Sequence, residues 1–321
     1  MWNTLHKYRS NLILCIRISC FLGFLATSLV ISWSSLTAFV ALLVSLYALK
    51  DDENKRDAIP KFNRNPLKGK PQISVGDLPR KVIDLMEHKV TELVTYDAED
   101  VDSLANFETL KMNTECIFAK KARLWGSPKW NYDLSIEHNI YQSVPTFLKF
   151  TCVCEPLGLD GFVYELPGDY GKDVQTFGQA VHRVLTTISD HDPSGVHCMK
   201  QSFIAKRGWV FQFNKITFFV TTFAPCYPDN HSRYAFDSDH AYILLQPEIS
   251  FAQHDLPSDT PVTNWDNPKT VRDRIRVAFR DAGREYKIRD TIYFPTVLEI
   301  VKPIESNGPD VKWWISDKKN D

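Results

Sequence analysis

The sequence predicts an α+β fold: a single mixed helix and sheet domain with an antiparallel hairpin, standing behind an N-terminal transmembrane segment. Three observations carry that expectation. No residue from 18 to 49 is charged; two strand-like runs, 209–213 and 216–223, are separated only by Asn214 and Lys215; and helical periodicity marks 173–188 and 269–282. Helix, hairpin, strand and helix in that order read as α+β.

The leader comes first. Its run is dense in Leu, Val, Phe, Ile and Ala and outlasts the core of a signal peptide. As one straight helix it would reach roughly 48 Å, well beyond a hydrocarbon layer of about 30 Å. Either two short helices turn near residues 32–35, or one tilted helix follows an interfacial segment. Residues 1–50 are therefore read as a membrane anchor of one or two passes. Lys7, Arg9 and Arg17 precede the run and Lys50, Lys55 and Arg56 follow it, so basic flanks do not orient it. Unpaired cysteines favour a domain facing the cytosol; the sequon Asn230-His231-Ser232 weakly favours the other side. Residues 51–75 carry mixed charges with Pro60, Pro66 and Pro71 and read as a stalk, leaving 76–321 for the soluble domain.

A helix opens at Asp77 with Pro79 in its first turn, and Val82, Leu85, Met86, Val90 and Leu93 form one stripe. A second helix is expected over 134–150, with Pro145 as a kink. Residues 161–166 make a short strand that stops at Pro167 and Gly168. The helix over 173–188 aligns Phe177, Val181, Val184, Leu185 and Ile188 and leaves His182 solvated. The hairpin 209–223 turns tightly at Asn214-Lys215 without the favoured glycine. A strand over 241–245 follows, then a helix over 269–282 that buries Val271, Ile275, Ala278 and Phe279 and ends before Gly283.

With 38 basic against 39 acidic residues the formal charge is -1, which gives no support to nucleic acid as a partner. Of seven cysteines, Cys116, Cys152, Cys154, Cys198 and Cys226 fall in the domain, an odd number that disfavours a disulfide framework. Cys152 and Cys154 stand too close for a zinc knuckle. Gly-rich phosphate loops, nucleophile elbows, metalloprotease helices and dinucleotide fingerprints are absent from the sequence.

Chemistry concentrates in the polar loop 224–240, delivered by the strand 216–223. Cys226, His231 and His240 are candidate iron or haem ligands, and Arg233 could pair with a carboxylate or a propionate. The plainer reading has Asn230 and Ser232 capping a turn while Arg233 bridges to Asp237 or Asp239. A non-haem centre would draw on His231, Asp237 and His240. His191 and His197 bracket a loop in which Asp192 before Pro193 is first a turn signal. Arg272, Arg276 and Arg280 share a helix face, either solvated and balanced by Asp273, Asp281 and Glu285, or a contact for anionic lipid, propionate or acidic substrate. Trp313 and Trp314 could rest on the domain or on a membrane surface.

Residues 209–233 (WVFQFNKITFFVTTFAPCYPDNHSR), 243–251 (ILLQPEISF) and 271–279 (VRDRIRVAF), with the upstream 116–119 (CIFA), resemble the core of the YqcI/YcgG family. The likeness spans about residues 115 to 285 and excludes the leader, which is foreign to the bacterial pattern. That family includes haem-dependent N-oxygenases, which hydroxylate guanidine nitrogens or oxidise amino groups in small-molecule biosynthesis. The resemblance implies haem, a small nitrogenous substrate and a redox partner. It places Cys116, Pro225, Ser232, Arg233, Phe251, Arg272 and Arg276 on matched motifs, with His231 the first choice of axial ligand and metal-binding residue, then Cys226 and His191. The alternative is a non-enzymatic membrane-associated module that binds lipid or a partner protein through its basic helix.

Overall fold

A computed structural model describes residues 93–254, 262–286, 294–305 and 307–316. The expected anchor, the stalk and the body of the helix opening at Asp77 lie outside the described residues. Among the described residues no helix is long and apolar enough to cross a membrane.

One mixed sheet of five strands organises the domain. Its strands are β1 (Leu124–Gly126), β2 (Gly161–Pro167), β3 (Phe211–Phe213), β4 (Ile216–Phe223) and β5 (His240–Pro247), in the spatial order β1-β2-β5-β4-β3. Only β1 and β2 run parallel. The α+β expectation holds, with a mixed rather than wholly antiparallel sheet. The hairpin turns where the sequence put it: Asn214 and Lys215 have φ of 49° and 63°, both in the left-handed region that matches the twist of the flanking strands. Asn214 is held there because its N–H donates to Asp192 Oδ1 at 2.9 Å and its side chain donates to Thr151. Asp192 thus serves the turns and not a ligand site.

Side chains alternate along the strands. Phe162, Tyr164, Leu166, Ile243, Leu245, Phe218 and Val220 face a core closed by α2 (Ile136–Leu157) and α3 (Val174–Asp190). Val163, Phe223, Tyr242 and Leu244 point the other way, onto Phe107 and Leu110 of α1 (Asp102–Asn113). The helix expected over 134–150 is longer than its sequence suggested. Ser135 caps its start, Pro145 and Pro156 lie inside it, and Gly158 ends it with φ 61°. It continues because Phe147, Phe150, Val153 and Cys154 all bury against the sheet, and packing overrides the proline penalty.

Two short helices complete the domain, α4 (Glu248–Gln253) and α5 (Val271–Asp281). In α5, Ile275 and Phe279 are buried as expected, while Val271 and Ala278 are half-buried. Thr270 and Asp273 form a capping box at its start. His182 is half-buried, not solvated, and its Nδ1 has no hydrogen-bond partner. The chain after residue 294 enters the main core through Val297, Ile300, Val301, Val311 and Trp313. Trp313 donates its indole N–H to Val297 O at 2.8 Å, so this tryptophan rests on the domain.

Candidate functional site

Strand β4 ends at Phe223, and the loop after it folds back on itself. Ala224 N donates to Arg233 O, Tyr227 N to Ala224 O, His231 N to Pro228 O and Tyr234 N to His231 O. Gly171 fits beneath: a Cβ there would meet Pro225 Cδ at 2.8 Å and Ala241 Cβ at 2.9 Å, while Gly171 O accepts from Cys226 N. The loop is therefore a built structure.

Two polar clusters flank it. The inner one joins the loop to residues 299–303. Arg233 is 7% exposed and donates from Nη2 to Glu299 O at 2.8 Å; Tyr227 donates its hydroxyl to Lys302 O at 2.9 Å; Thr222 donates to Ile300 O. The Glu299 side chain pairs with Lys302 Nζ at 3.0 Å. The His231 ring lies flat on Tyr227, centroids 4.4 Å apart, and its Nδ1 accepts from Arg233 N at 3.0 Å. Burial, and then the charges of Arg233 and Lys302, push His231 down to about 3, against a raising hydrogen bond to the Pro303 backbone. His231 is neutral at any physiological pH.

The outer cluster centres on Arg284. Its Nη1 meets Glu115 Oε1 at 2.6 Å, its Nε donates to Asp229 O at 2.9 Å, and its guanidinium lies 4.3 Å from the Phe236 ring centroid and 5.6 Å from that of Tyr234. Glu115 Oε2 is buried without a hydrogen-bond partner. Glu285 N donates to Asn230 O, which joins the segment after α5 to the same loop. Residues 115–116, 229–236 and 284–285, far apart in the chain, converge here.

Several expectations change against this geometry. His231 does not suit axial ligation: Nδ1 accepts from Arg233 N–H, the other nitrogen faces the Pro303 carbonyl, and the ring face is covered by Tyr227. Arg233 bridges to neither Asp237 nor Asp239; Asp237 accepts from Tyr234 instead. The non-haem triad fails because His231, Asp237 and His240 have different partners, His240 facing Glu165 at 3.8 Å. Among the described residues, no group of three or more His, Cys, Asp or Glu is arranged to hold a metal ion.

Cys226 is half-buried against the core, and burial pushes its thiol up to about 12. Cys116 is half-buried beside Glu115, its thiol also raised by burial. His191 caps α3 on the helical side of the sheet; its Nδ1 bonds to Thr187 O at 2.8 Å and its ring packs on exposed Tyr141. That ring lies outside the two clusters. The imidazole of the loop that the resemblance singles out is thus engaged at both nitrogens and offers no open ligand position.

The arginines of α5 do not form one solvated face. Of the three aligned arginines, Arg276 is buried and donates to Val262 O and Thr263 Oγ1, Arg272 is half-buried, and Arg280 alone is exposed, paired with Asp281 and lying over Trp265. Ser232 is half-buried between His231 and Arg233.

Glu115, Tyr227 and Glu299 were not singled out by sequence. Glu115 adjoins the 116–119 motif, which was the available signal. Its partnership with Arg284 spans 169 positions, and no spacing rule reaches that far. Fold and clusters together define a mixed α+β domain carrying a buried arginine site at the end of its sheet. Compared with known proteins, the chain matches no family model, no curated protein and no solved structure.

Proposed function

We propose that the chain is a membrane-tethered enzyme that oxidises a nitrogen of a small molecule in biosynthesis, with its substrate held beside Glu115 and the 229–236 loop. The observation carrying this reading is the convergence of the segments at 115–116, 229–236 and 284–285 around a buried carboxylate oxygen, Glu115 Oε2, that has no partner. A buried acceptor of this kind is costly unless a donor reaches it. The N–H of an amine or guanidinium supplies that donor. Arg284 fixes Glu115 through the other oxygen, and Tyr234 and Phe236 hold Arg284 in place by cation–π contact.

Activated oxygen is the chemistry that haem, as implied by the resemblance, would supply when bound. His231 does not fit as its ligand, and no catalytic step is assigned to it. The uncharged run 18–49 supports the tether. A redox partner belongs to the same proposal.

The test uses the full chain in detergent, with methylamine and methylguanidine as probes of thermal unfolding and haemin followed by absorption. The expected result is a rise in Tm with one nitrogen probe that Glu115→Gln abolishes. A Soret band, where haemin is taken up, should persist in His231→Ala. The proposal fails if neither probe shifts Tm and haemin yields no Soret band.

A further inference from the structure

Arg233 stands apart from the other buried charges of the domain. A guanidinium carries five N–H donors and stays protonated. Here one of them reaches a described acceptor, the Glu299 carbonyl, while Nε is buried with no partner. The Glu299 charge offsets part of the cost of burying it, but the Glu299 carboxylate is bonded to Lys302 and not to Arg233. No carboxylate of a described residue lies within ion-pair distance of Arg233. Phe223 and Tyr227 contribute ring surface around it, and His231 beside it is uncharged. Burying a charge without a bonded counterion costs several kcal/mol, a cost that an anion reaching the open Nε would offset.

We propose that Arg233 is a carboxylate-binding site, in which Nε and its neighbouring terminal nitrogen grip the two oxygens of one carboxylate. Planar two-oxygen anions match the spacing of a guanidinium edge, and such forked pairs are short and directional. Lys302 and Arg233 both depress His231, and the two cations face a single described carboxylate, that of Glu299, which leaves a net positive charge at the site. The inference deepens the proposed function, on which it rests for the site's location: Glu115 takes the nitrogen end of a ligand and Arg233 its acid end. The carboxylate has two chemical sources, a free carboxylic acid or a propionate of haem.

The experiment uses the full chain in detergent at constant ionic strength. One arm compares acetate with chloride by thermal unfolding; the other compares haemin with haemin dimethyl ester, whose propionates are blocked. Stabilisation by acetate over chloride identifies a free acid as ligand; binding of haemin but not its diester identifies a propionate. In either case Arg233→Lys, which keeps the charge but removes the fork, should weaken binding by roughly tenfold to a hundredfold. The inference is overturned if neither comparison discriminates, or if Arg233→Lys responds like the wild type. Should that variant not fold, the two comparisons on the unaltered chain decide alone. Loss of discrimination here alongside a methylamine or methylguanidine shift sinks the Arg233 site and leaves the proposed function standing.

Discussion

His231 and Arg233, two residues apart on one loop, meet burial in opposite ways. The histidine loses its charge, and both ring nitrogens then find neutral partners; the arginine cannot shed its proton and keeps an unfilled donor. His231 has a pH consequence of definite sign. Its folded value of about 3 lies below the ordinary value of 6.5, so between those values the unfolded chain binds the extra proton. Its contribution is complete above about pH 6.5 and is lost as pH falls towards 3. Glu248 works in the other direction, since burial raises it from 4.5 to about 7 and its neutral form is the one the fold prefers. Tm measured from pH 4 to 6.5 should therefore fall less steeply on acidification in His231→Gln than in the wild type. An unchanged slope would mean that the histidine is hydrated in the folded state.

Among the elements, α2 shows how packing decides against local preference. Phe147 near its middle meets Phe150, Phe162, Tyr164, Phe213 and Phe218, with ring centroids between 4.9 and 6.0 Å. These rings come from α2, β2, β3 and β4, so one side chain ties the helix to three strands. Phe147→Ala should cost about 3–5 kcal/mol, because the rigid surrounding rings cannot close the cavity. Urea unfolding followed by circular dichroism would measure it; a loss under about 1 kcal/mol would show that the site collapses. The hairpin is the contrasting case. Two apolar runs two residues apart leave few ways to connect, and Asn214 tolerates the left-handed backbone that the turn needs. Helix α1 escaped the sequence reading because its buried positions are only Ser103, Phe107 and Leu110. Strand β1 escaped because three residues make no period.

For the whole chain, the proposed tether makes a separate prediction. Deleting residues 1–50 should move the protein from the membrane pellet to the soluble fraction after cell lysis, with the Tm of the domain unchanged within a few degrees. Continued sedimentation of the shortened chain with membranes would place the membrane contact on the domain. A surface of three aligned arginines on α5 is no longer a candidate for that contact, because Arg276 turns inward.

The sequence by itself determined the elements whose period is long or whose turn chemistry is strict: the helix at 173–188, the hairpin, β5 and α5. It also drew attention to the loop at 224–240. Periodicity suffices there because burial repeats every 3.6 or 2 residues along the same segment. Only the tertiary structure decided what the loop's side chains do. Whether His231 is a ligand or a neutral wedge depends on Tyr227 and Pro303. Whether Arg233 bridges to Asp237 or points inward depends on a carbonyl 66 positions away, and Glu115 meets Arg284 across 169. Such contacts arise from the closing of the sheet and the return of the C-terminal segment, and no local pattern encodes them.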